Sequence, residues 1–136
     1  MVKISVDYLG DLYCKVTHTP SGKSFKTNAP IDNKGKGDEI SPTDLVAASI
    51  ASCVTTIMGI KANEKNIDIE GMNITCSKIM TNVPFRRIDK LILDITFPHP
   101  LIEDDFKMLS NVVKTCPVTR SLTSEIELEY NFNYAK

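Results

Sequence analysis

The sequence predicts a single α+β domain with the element order βββ-α-ββ-α-β, its helices packed on an antiparallel sheet. Three observations carry that prediction. Both ends of the chain alternate apolar and polar side chains with a period of two; an apolar stretch over residues 41–66 opens with a helix cap; and a second stripe at helical spacing lies between two strand patterns.

Ile4, Val6 and Tyr8 alternate with polar neighbours, Gly10-Asp11 offers a turn, and Leu12, Cys14 and Val16 alternate again, which reads as a hairpin. Pro20-Ser21-Gly22 makes a second turn into "KSFKT", a third strand. "NAPIDNKGKGDEI" has no periodicity and reads as a loop of about a dozen residues, longer than the usual ~4 to 6 and of a kind that often serves function.

The stretch "SPTDLVAASIASCVTTIMGIKANEKN" then announces a helix. Ser41 is a cap, Pro42 suits the first helical position, and Asp44 completes a capping box. Its expected stripe is Val46, Ile50, Cys53, Ile57 and Ile60, and the small residues around that stripe predict a helix buried nearly all round. Two strands follow, "GMNITCSKIM" and "RIDKLILDITF", with "TNVPF" between them as a loop. A second helix starts near Ile102 with the stripe Ile102, Phe106, Leu109, Val113 and Cys116, and Pro117 stops or resets it. The last strand alternates Ile126, Leu128, Tyr130, Phe132 and Tyr134 with Glu and Asn.

With 136 residues, 42% of them hydrophobic, the chain suits one domain, residues 1–136, able to bury a core. Its net charge of -1, with both signs interspersed, gives no basic stripe, so neither nucleic acid nor an anionic membrane surface is an expected partner. The uncharged run Leu45–Ile60 is shorter than the ~18 to 20 residues of a membrane span, and "MVKISVDYLG" has no signal-peptide core, so a soluble, cytoplasmic protein is expected.

Cys14, Cys53, Cys76 and Cys116 are widely spaced, with no C-x-x-C pair and no His at ligand spacing, so neither a metal nor a disulfide scaffold is expected. No cofactor is expected either. Cys is among the most buried residue types, and Cys14 and Cys76 on strands are expected to be core filler. Cys53 is ringed by small residues that leave room for another molecule and Cys116 sits at a helix break, which raises these two above core filler.

Ser41-Pro42-x-Asp44-Leu45-x-Ala47-Ala48 running into Cys53, then "VPFRRIDKLILDI", then "CPVTRSL" before a final alternating strand, resembles the OsmC family, which includes the organic hydroperoxide resistance proteins. The resemblance runs from about Gly35 to Tyr134 and implies two central helices on curved antiparallel sheets, completed in an intertwined homodimer. It also implies a thiol-dependent peroxidase for small organic hydroperoxides, acting in oxidative stress defence. Cys53 would attack the peroxide and become a sulfenic acid, Cys116 would resolve it to a disulfide, and a dithiol reductant would restore both.

The sequence departs from the peroxidatic pattern in two places. Peroxidatic members supply an amino-terminal arginine steered by a glutamate early in the first helix. Here the arginines are Arg86, Arg87 and Arg120, and Thr43 stands at the glutamate's position, leaving Lys3, Lys15 or Lys36 as substitute cations. The alternative expectation is therefore a non-peroxidatic OsmC-like protein that binds a small apolar ligand, or carries a thiol modification, in the dimer cleft.

Overall fold

In the computed structural model, which describes residues 1–136, the amino-terminal strands are β1 (Ile4–Gly10), β2 (Tyr13–His18) and β3 (Lys23–Thr27). They form an antiparallel sheet in sequence order. The hairpin between β1 and β2 turns through Gly10, Asp11 and Leu12, all at positive φ, which matches the right-handed twist of the flanking strands. Val6, Val16 and Phe25 lie in one cross-strand row. Ile4, Val6 and Tyr8 remain 56%, 58% and 67% exposed, an apolar sheet face left in water.

The long loop after β3 is ordered by local hydrogen bonds. Asn28 Nδ2 donates to Asp11 O at 3.2 Å, its Oδ1 accepts from the Lys36 amide at 2.8 Å, and Tyr13 OH donates to Asp38 at 2.6 Å. A single 3₁₀ turn, Ile31–Asn33, folds the segment back until Gly35 N–H reaches Pro30 O at 2.9 Å. Only glycine fits there, because a Cβ on Gly35 would run into the Ala29 backbone.

The chain divides into two compact units, Met1–Val46 and Ala47–Lys136, and helix α1 (Pro42–Glu64) spans the division. The capping box forms as expected: Asp44 N–H donates to Ser41 Oγ at 3.1 Å, and Ser41 N–H donates to Asp44 Oδ2 at 2.9 Å. The expected burial of α1 does not hold. Its buried row is Ala47, Ile50, Val54, Met58 and Ala62, whereas Cys53 and Ile57 are half-buried and Ile60 is 55% exposed. A helix apolar on nearly every side has no unique face in its sequence, so the stripe read from the large side chains missed the row that carries Ala and Met. By length and composition alone α1 is also apolar enough to cross a bilayer, a test that core helices pass as well.

In the second unit the strands are β4 (Asn73–Thr81), β5 (Arg87–Phe97) and β6 (Glu127–Tyr134), with β5 in the middle. A register shift between Ile79 and Met80 marks a bulge that keeps both Ile88 and Leu91 on the buried side of β5. Leu91, Leu93, Ile95 and Phe97 are fully buried. β6 pairs with β5 in parallel, not antiparallel as expected. The helical segment between them is a crossover that returns the chain to the starting end of β5, and such connections join parallel strands.

That crossover contains α2 (Glu103–Val112), a 3₁₀ turn (Val113–Thr115) and α3 (Pro117–Ser121). α2 therefore ends before Cys116, and Ile102 is its exposed cap position, not part of a stripe. Phe106 and Phe132 pack against Phe97 with ring centroids 6.1 and 6.3 Å away, which fastens α2 and β6 over the end of β5.

Candidate active site

Cys53 and Cys116 meet in the second unit. Their thiols are hydrogen-bonded to each other, and both sulfurs are influenced by the backbone N–H of Val118. Neither is in a disulfide. Cys53 lies on the half-buried flank of α1, while Cys116 is fully buried at the cap of α3.

The cap explains the placement of Cys116. The run Cys116-Pro117 reads in the structure as a helix start: Pro117 takes the first helical position, where its missing N–H costs nothing, and Cys116 Sγ accepts from Thr119 N–H at 3.4 Å. A serine or aspartate would normally hold that place. With a cysteine there, the first-turn amides converge on a sulfur that can carry charge.

The two thiols consequently differ in acidity. Burial pushes Cys53 up, and so does donating to Cys116, with the Val118 amide acting against them. Burial also opposes ionisation of Cys116, but the hydrogen bonds from Cys53 and from the Thr119 and Val118 amides, with the Thr119 hydroxyl nearby, together bring it below its ordinary value. The pair titrates as a unit whose first negative charge rests on Cys116 and whose more accessible sulfur is Cys53.

Cys14 and Cys76 take no part. Cys14 lies on β2 in the first unit; Cys76 is on β4, where burial first, and Asp94 second, push its thiol up. Lys36 lies over the Tyr13 ring at 5.5 Å, within the first unit. Arg87 is held in place: its Nη1 donates to Ile88 O at 3.0 Å, and its guanidinium faces Asp89 and Glu125 at 3.6 and 3.9 Å.

In the same unit an apolar groove of about 270 Å³ is lined by Ile57, Ile60, Val112, Thr115 and Pro117, together with the Lys61–Glu64 pair. Ile57 is one turn beyond Cys53 and Pro117 adjoins Cys116. A larger cavity of about 630 Å³ lies between Thr55, Gly59 and Asn63 and the loop 66–72, and neither it nor the groove has a thiol in its lining. The smaller groove is the more apolar and includes close sequence neighbours of both cysteines.

The sequence model of the family described as OsmC-like protein matches residues 35–131. The chain belongs to the OsmC-like family. A crystal structure from Psychrobacter arcticus 273-4, described as an osmotic stress induced and detoxification response protein, is 40% identical to this OsmC-like chain; the match covers 98% of this chain and 96% of that one, with a TM-score of 0.92. The organic hydroperoxide resistance protein of Elizabethkingia anophelis matches at 15% identity and a TM-score of 0.80, over 99% and 96% of the two chains. The hydroperoxide resistance protein OsmC of Legionella pneumophila matches at 17% identity and 0.78, over 98% and 96%. At those identities the latter two speak for the OsmC-like fold alone. No curated protein matches the sequence significantly.

The sequence reading missed Val118 and Thr119. The signal was present in "CPVT": a proline directly after a capping-sized residue starts a helix as readily as it ends one.

Proposed function

We propose that this OsmC-like chain is a thiol-dependent peroxidase that reduces organic hydroperoxides in oxidative stress defence. The observation that carries the reading is the direct pairing of the Cys53 and Cys116 thiols, with an apolar groove lined by their sequence neighbours Ile57 and Pro117. In the proposed cycle the proton shared by the pair passes from Cys53 to Cys116. The Cys53 thiolate then attacks the O–O bond, becomes the sulfenic acid, and the leaving alkoxide takes a proton to become the alcohol. Cys116 loses its proton again and, as thiolate, attacks the sulfenic sulfur; the disulfide forms and hydroxide leaves as water once protonated. A cytoplasmic dithiol reduces the disulfide and returns both thiols.

The functional unit in this proposal is a homodimer. Its support is the exposed apolar surface on Ile4, Val6, Tyr8 and Phe25, and the exposure of Ile60 on a helix otherwise fit for a core. Sedimentation of the purified protein tests this, and a monomer at micromolar concentration removes it.

The decisive experiment for the peroxidase is intact mass of reduced protein after a stoichiometric pulse of cumene hydroperoxide. Loss of two hydrogens, mapped to Cys53 and Cys116 and reversed by a dithiol, is expected within seconds. No change over minutes sinks the reading.

One observation favours a second reading. Burial raises Cys53, and the thiol made more acidic is the buried Cys116, an arrangement that suits a non-peroxidatic protein binding a small apolar ligand in the groove or carrying a modified thiol. A saturable apolar ligand together with peroxide inertness is its signature.

A further inference from the structure

The Thr119 hydroxyl oxygen is wholly buried, yet makes no hydrogen bond of good geometry. Nearly all buried hydroxyls are paired, so an unpaired one invites the question of which state of the protein uses it. Two groups lie near enough for Thr119 to favour their ionised forms: the Cys116 sulfur and the Tyr130 hydroxyl. Tyr130 projects from β6 opposite Leu93. Burial first, and then the charge on Cys116, push its ionisation up, so Tyr130 keeps its proton at neutral pH and is available as a donor. The Thr119 backbone N–H already points at Cys116 Sγ at 3.4 Å, in the first turn of the helix that Cys116 caps.

We infer that Thr119 is the positioning residue of the resolving thiol: its hydroxyl, accepting from Tyr130 OH, donates to Cys116 Sγ when that sulfur is a thiolate. The inference rests on the two-thiol cycle proposed above and adds to it how the second step is driven. When Cys116 thiolate attacks the Cys53 sulfenic acid, the S–S bond forms, the S–O bond breaks, and hydroxide leaves to be protonated to water. Charge departs from Cys116 and the Thr119 bond is released. In the return step a dithiol thiolate attacks Cys53 and the electron pair of the S–S bond goes to Cys116. A sulfur stabilised as thiolate leaves faster, so the same hydroxyl assists reduction.

The test separates Thr119 from the peroxidase reading. In a Cys53→Ser background, which keeps a donor beside Cys116, the Cys116 titration is followed by ultraviolet thiolate absorbance. Thr119→Val, which preserves shape and removes the hydroxyl, is expected to leave about tenfold less thiolate at neutral pH, a shift of roughly one unit. Thr119→Ser is expected to titrate like the parent, and Tyr130→Phe to shift in the same direction as the valine variant. With Cys53 present, Thr119→Val slows disulfide closure after cumene hydroperoxide, read as a longer-lived Cys53 sulfenic acid. An unaltered Cys116 titration in both Thr119→Val and Tyr130→Phe overturns the inference. So does an equal shift in Thr119→Ser, which would assign the effect to packing. If Thr119→Val fails to fold, the Tyr130→Phe and Thr119→Ser titrations decide alone. Peroxide inertness of every variant alongside the expected titration shift removes the peroxidase reading and upholds the role of Thr119.

Discussion

Cys53 and Cys116 share a hydrogen bond between their thiols although one belongs to the long helix α1 and the other caps the five-residue helix α3. The short helix makes the two sulfurs unequal, because its first-turn amides serve Cys116 directly. Cys116 is thus the more acidic thiol and Cys53 the more accessible one.

That inequality predicts different fates for the two single variants. Cys53→Ser is expected to abolish disulfide formation after a hydroperoxide pulse. Cys116→Ser is expected to stop at a Cys53 sulfenic acid, trapped by dimedone and seen as an added mass on the Cys53 peptide. Full turnover in Cys53→Ser would rule out the assignment of roles.

The pair should also show two separate ionisations. Cys116 lies below its ordinary value of 9.0 and Cys53 above it. Alkylation rates across pH should therefore reveal one thiolate equivalent on the acid side of that value and the second on the alkaline side. Cys53→Ala removes a donor to Cys116 and is expected to raise the first step. A single two-equivalent transition would contradict the coupling.

His99 bridges two carbonyls, with Nε2 2.7 Å from Asp68 O and Nδ1 3.0 Å from Pro100 O. Carbonyls only accept, so both bonds need a proton on each nitrogen, and the hydrogen bonds to Pro100 and then Asp68 raise the His99 pKa above 6.5. The contribution to stability is fully present below the unfolded value and is lost as pH rises through the raised folded value. Denaturation of the parent and of His99→Ala should differ at pH about 6 and converge above the folded value. A difference that persists unchanged into alkaline pH would mean that packing, not the charged ring, ties these loops.

Asp38 accepts from Tyr13 OH at 2.6 Å and, through that bond first, holds the Tyr13 ionisation up at about 12. Asp38→Asn is expected to bring the titration back toward the ordinary 10.0, read by phenolate absorbance. No movement would show that the loop bond is absent in solution.

Phe97 is fully buried and packs with Phe106, Phe132 and Tyr134 at centroid distances of 6.1, 6.3 and 6.1 Å. Phe97→Ala should cost about 3 to 5 kcal/mol in urea denaturation, since the surrounding rings cannot close the cavity. A loss under about 1 kcal/mol would show that the cluster relaxes freely.

Much of the fold was legible because strand and helix periods are local. The alternation along β5 and the Ser41 to Asp44 capping box can be read from neighbours a few residues away, and both form. The parallel pairing of β6 was not legible, because direction depends on where a crossover delivers the chain. The buried row of α1 was hidden by apolar residues on almost every side, which leave the choice of face to whatever packs against it.

The sequence by itself determined the element types, the helix start at Pro42, the family likeness, and the two cysteines worth attention. Tertiary structure alone decided that their thiols interact, that Cys116 is a cap and not a member of a helical seam, and that Val118 and Thr119 act on the pair. Periodicity reports the environment of one residue along its own element. A thiol's charge is set by groups that arrive from other elements, at distances only the folded chain establishes.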